Sequence, residues 1–121
     1  MFDKPLRLQL VTPPAQEPVS VGEAKLHARI DESADNALVQ SLIVAAREMA
    51  EAYTSRAFIT QTWKMFLDAW PSGVTQFEMP RAPLLSVTHV KTYDDAAVAT
   101  VFAASNHFVD MATRPGRLVL R

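Results

Sequence analysis

The strongest constraint on this chain is a long helical periodicity that runs almost directly into a strand pattern. From Asn36 to about Arg56 the apolar residues recur at helical spacing, and from Ile59 to Leu67 they alternate. A helix over Asn36 to Arg56 is roughly 30 Å long at about 1.5 Å per residue. On a helical wheel Leu38, Leu42, Ala45, Met49, Ala52 and Tyr53 cluster, and Val39, Ile43, Ala46 and Ala50 extend the same face. That arc is about 180° wide, whereas an ordinary surface helix carries a stripe of about 100°. Gln40, Arg47, Glu48, Glu51 and Ser55 form the polar side, with Val44 alone among them. Two readings fit the width. The helix is covered on two sides within its own domain, with Leu42 and Met49 in the core, or part of the arc, or Val44, meets another subunit.

The segments before this helix prepare it. Leu6, Leu8 and Leu10 alternate with Arg7 and Gln9, which predicts a half-buried strand stopped by Pro13 and Pro14. Ser20 and Glu23 have the spacing of a capping box, so a first helix is expected from Val21 to Ile30 with Leu26 and Ile30 toward the core. Asp31 to Asp35 is a polar break in which Ser33 or Asp35 can cap the long helix.

After it come short strands and turns. Ile59, Gln61, Trp63, Met65 and Leu67 share one strand face, and Trp63 is expected to be largely buried. Pro71-Ser72-Gly73 reads as a turn, followed by strands over residues 77–79, 85–93 and 98–102, with Asp94-Asp95 as a turn former between the last two. Residues 108–111 and 118–120 are expected to pair across Pro115-Gly116 in a type II turn. The fold class is α+β: an N-terminal helical pair with one long central helix, then a mostly antiparallel β region. A single domain over residues 1–121 is expected, with the strand and helices in 1–57 and the β region in 58–121.

Composition excludes more than it suggests. With 12 basic and 13 acidic residues the chain is near neutral, unlike a protein that coats nucleic acid. The absence of cysteine removes disulfides, thiolate nucleophiles and cysteine metal sites. No apolar run reaches the length of about 20 residues that spans a bilayer, and the N-terminus lacks the pattern of a signal peptide, so an intracellular soluble product is expected. His27, His89 and His107 stand far apart, and with three glycines in the chain a phosphate cradle has little to work with. Asp68 and Asp110 could act as an acid–base pair only if the fold joined them. The reading is therefore no enzyme, no catalytic residues, no cofactor and no metal. A helix-turn-helix is disfavoured because Asp31, Glu32 and Asp35 precede the second helix and would repel phosphates. Arg114, Arg117 and Arg121 read as a solvated basic edge.

Taken in order, PVSVGEAKLHARID, NALVQSLIVAAREMAEAYTSRAFITQTW, FEMPRAPLLSVTHVKTYDD and PGRLVL resemble the head–tail connector (adaptor, or head-completion) proteins of tailed bacteriophages and phage-like gene transfer particles. The matching positions are Glu23-Ala24-Lys25 with His27 and Arg29, the step Tyr53-Thr54 with Arg56, the strand Ile59 to Trp63, and Met79-Pro80 to Val87. The resemblance implies a structural virion protein in the neck, made in the host bacterial cytoplasm. It implies a homo-oligomeric ring, usually of twelve subunits in this family, beneath the portal protein. Such a ring extends the channel through which DNA passes without sequence-specific binding, and it offers a platform for a downstream neck or tail protein. No membrane partner is implied. The neighbouring roles are another neck component, such as a stopper or tail-completion protein, and a small DNA-associated regulator. Members continue beyond the position of Arg121, so the resemblance also implies that a C-terminal portal-docking part is missing here or is supplied by a neighbour. Val44, Arg47, Glu48 and Glu51 are the expected subunit-interface residues, since they offer both signs of charge beside an apolar arc.

Overall fold

The computed structural model describes residues 7–121; Leu6 of the expected first strand lies outside them. Contacts divide the chain into two compact units, one ending at Phe66 and one running from Leu67 to Arg121. Among the described residues the elements are α+β, and the paired strands are all antiparallel.

The first unit comprises β1 (Arg7–Thr12), α1 (Val21–Ala28), α2 (Asn36–Thr54) and β2 (Thr62–Phe66). β1 pairs with β2 in a two-stranded sheet, with Leu8 opposite Met65 and Leu10 opposite Trp63. The chain therefore returns after α2 to the strand from which it started, and β2 belongs with the helices. A two-stranded sheet is marginal alone; here Leu8, Trp63 and Met65 are half-buried.

α1 begins as its sequence requires. The Ser20 hydroxyl accepts from the Glu23 amide at 3.0 Å. The helix closes two residues earlier than expected, with Arg29 left-handed at φ 57 and the Ile30 amide donating to the Lys25 carbonyl. This is a Schellman-type stop made without glycine. Asp35 stands at the N-cap of α2, but neither its side chain nor that of Ser33 caps the helix. Instead the Asn36 amide donates to the Ser33 carbonyl, and Lys25 Nζ donates to Asn36 Oδ1 at 2.9 Å, tying the two helices at their junction. Leu26 does not face a core. It is exposed, and the side of α1 that is half-buried carries Val21, Ala24 and Lys25.

The second unit contains β3 (Gln76–Glu78), β4 (Lys91–Tyr93), β5 (Ala99–Val101), a short 3-10 turn at Ala104–Asn106, β6 (His107–Asp110) and β7 (Arg117–Leu120). A three-stranded sheet runs in the order β3-β7-β6, and β4-β5 form a separate hairpin. Phe77 and Leu118, directly opposite in β3 and β7, are its buried residues. Trp70 packs at 5.6 Å from Phe77 and 5.4 Å from Phe102, and Phe102 stacks on His107 at 5.7 Å. The expected strand over 85–93 forms only at its end, and Leu85 is exposed.

Local chemistry explains the turns. Asp94 Oδ1 accepts from the amides of Ala96 and Val98 and so closes the β4-β5 hairpin. Gly73 has φ 72, the left-handed geometry that glycine admits at no steric cost. The β6-β7 connection is not the expected type II turn, because Gly116 does not have a positive φ. Gly116 is required there for room: a Cβ would fall 2.6 Å from the Leu84 Cβ.

The core of the second unit is small, so Phe77→Ala should destabilise it by about 3–5 kcal/mol. Urea unfolding followed by Trp70 fluorescence measures this, with Trp63 replaced by Phe to isolate the signal.

Candidate assembly surface

α2 presents two faces, and the apolar one is not simply the inner one. Its buried residues are Val39, Arg47 and Glu51, with Ile43, Val44 and Ala50 half-buried beside them. Leu38 is 57% exposed, Leu42 59%, Met49 75% and Tyr53 91%. The expectation that Leu42 and Met49 lie in the core is therefore overturned. The apolar arc splits lengthwise: the Val39-Ile43-Ala50 edge turns inward and the Leu38-to-Tyr53 stripe faces out.

A buried ionic cluster rotates the helix this way. Arg47 forks onto Glu17, in the connector after β1, with Nε donating to Oε2 and Nη2 to Oε1 at 3.2 Å. Its third nitrogen, Nη1, donates to Glu51 Oε1 one helical turn away. The other Glu51 oxygen accepts from the Phe58 amide at 2.8 Å and from Gln61 Nε2. Gln61 Oε1 in turn accepts from the indole of Trp63 at 2.9 Å. One hydrogen-bonded chain thus runs from the β1 connector through α2 into β2. Lysine could not replace Arg47, since only a planar guanidinium reaches two carboxylates in fixed directions.

Both charges are held ionised. The hydrogen bond to Glu17 leads in raising the Arg47 pKa, against the pull of burial. Burial pushes the Glu51 carboxyl upward, but the Phe58 amide and Arg47 outweigh it and hold the group below the usual carboxylate range. In the second unit Asp110 is likewise lowered, by Arg117 and then by the Ala112 amide, and Arg117 also reaches Gln76 across β7 and β3. Arg117 is thereby engaged within the sheet and is not part of a free basic edge, while the Arg121 guanidinium lies 5.7 Å from the Phe108 ring centre.

The four residues expected at a subunit interface fall into different places. Arg47 and Glu51 are buried and satisfied inside the unit. Val44 is half-buried. Glu48 is exposed, with a 4.0 Å approach to Arg47. The feature missed at the sequence level is the spacing within the stripe. Leu38, Leu42, Ala45, Met49 and Ala52 alternate steps of four and three, the spacing of a coiled-coil seam. Nothing in the wheel distinguishes such a seam from a core face. Among the described residues no group of three or more His, Asp or Glu comes together as a metal-binding set, and no helix is long and apolar enough to cross a membrane.

The α2 stripe is thus an exposed apolar face on a helix whose opposite side is held by buried ions. The family described as phage gp6-like head-tail connector protein matches residues 18–98, about two thirds of the chain. The chain belongs to that family. The matched span runs from the residues before α1 to the end of the β4-β5 turn, so it includes the whole stripe and the Arg47-Glu51 pair. No curated protein and no solved structure matches the chain. As a connector-family member the protein is a structural component of the phage virion at the junction of head and tail.

Removing one member of the buried cluster leaves its partners charged and unpaired, so Arg47→Met should cost about 3–5 kcal/mol, read as a drop in the thermal midpoint by circular dichroism. The pH dependence has a defined sign. The Glu51 pKa is lower in the folded state, so its stabilisation is full above the ordinary carboxylate value of about 4.3 and is lost as pH falls through the lower folded value. Acid titration of the parent should show this loss, and Glu51→Gln should reduce the steepness below about pH 4 while lowering stability at pH 7.

Proposed function

We propose that this connector closes into a homo-oligomeric ring beneath the portal, extends the DNA channel from the filled head, and presents a platform to the next neck or tail protein. One observation carries this reading within the family: the α2 stripe is apolar, exposed and rigidly oriented. A single chain with such a face is incomplete until something covers it. Exposed ion pairs are worth about 0–1 kcal/mol each, so apolar contact supplies the affinity and charge sets the register. Of the four interface residues named from sequence, Glu48 contacts the neighbour. Arg47 and Glu51 stand behind it and hold the helix, and Val44 borders the contact. DNA passes through the ring without sequence-specific contacts, consistent with a near-neutral chain.

Deleting the protein from the particle that encodes it should leave heads that package DNA but neither retain it nor acquire tails, with complementation restoring both. Electron microscopy of complete particles should show cyclic density for this chain directly below the portal. Infectious or transducing particles at normal titre without the protein would falsify the neck role. Density at the far end of the neck would assign it as a stopper or tail-completion protein.

A further inference from the structure

The first unit exposes the α2 stripe. The second exposes a different apolar face on the β4-β5 hairpin. Lys91 pairs with Val101 and Tyr93 with Ala99, so these four side chains share one side of the ribbon. Tyr93 and Val101 are each 62% exposed, and the ribbon is a two-stranded sheet that is marginal alone. We infer that the hairpin face of one copy packs on the α2 stripe of the next copy, in a head-to-tail contact.

Symmetry favours two different surfaces. A stripe that met its own copy would make a two-fold pair and stop, whereas a ring of more than two subunits needs unlike, complementary patches. This chain carries two such patches. Size is compatible: the seam carries the small Ala45 and Ala52 on either side of Met49, and the hairpin face carries the larger Tyr93 and Val101. Charge agrees as well. Glu48 is exposed beside the seam and Lys91 is exposed on the hairpin face. Arg56 lies just past the end of α2 and Asp95 in the hairpin turn, both exposed. Each patch thus carries one exposed charge of each sign.

The chain has no cysteine, so introduced thiols report without background. Full-length protein carrying Met49→Cys and Val101→Cys, oxidised over a range of concentrations, should give a ladder of disulfide-linked dimers, trimers and higher species. An equal mixture of the two single variants should stop at a mixed dimer, because each cross-linked pair then lacks a second thiol. Glu48→Lys should slow ladder formation several-fold, and adding Lys91→Glu to the same chain should restore it. Dimers from the Met49→Cys variant alone, a link closed only within one chain, no link at any concentration, or a ladder indifferent to both charge reversals each overturn this contact. The inference rests on the ring reading but fails separately from it. Particles that lose their tails without the protein, combined with no ladder, leave the neck role standing and reject this interface alone.

Discussion

The first unit depends on the fork of Arg47 onto Glu17 and Glu51. Burying one guanidinium and two carboxylates is costly in desolvation, and the cost is offset only when nearly every donor and acceptor is matched. Here the matching extends to the Phe58 amide, Gln61 and Trp63, so the charge cluster also fixes the route of the backbone from α2 into β2. The rotation of α2 about its axis follows from this. With Arg47 and Glu51 held inward, Leu38, Leu42, Met49 and Tyr53 have no choice but to face out. An apolar surface that would be a folding error elsewhere is in this protein the consequence of a polar interior.

The second unit solves its packing differently. Its three-stranded sheet buries Phe77 and Leu118 and adds an aromatic group of Trp70, Phe102 and His107. Arg117, on β7, clamps Asp110 on β6 and Gln76 on β3, spanning all three strands. Gly116 lets Leu84 approach the β6-β7 connection. The β4-β5 hairpin stands outside this arrangement as a separate sheet closed by Asp94. Each unit thus pairs a small packed interior with exposed apolar side chains on its outside.

The legible features in the sequence were those decided within a few residues. The Ser20 cap, the Gly73 turn, the Asp94 turn and the pairing of β6 with β7 all depend on local geometry. The α+β class followed from periodicity alone. The orientation of α2 did not, because a wheel assigns the apolar side to the interior and cannot see Glu17, thirty residues before Arg47 in the chain. The width of the arc carried the clue, since it held both a narrow inner edge and an outer seam. Leu26 was misplaced for the same reason: a short helix offers too few positions to fix its inner side. The turn at Pro115-Gly116 was misread because its glycine answers a steric approach from Leu84, a contact remote in sequence.

The buried fork also divides the chain by how freely it can change. Glu17, Arg47 and Glu51 come from two segments and constrain one another, so drift at any one of them strands the other two. The stripe on the opposite side of the same helix carries no such mutual constraint. Its exposed positions can change one at a time while the helix that displays them keeps its orientation.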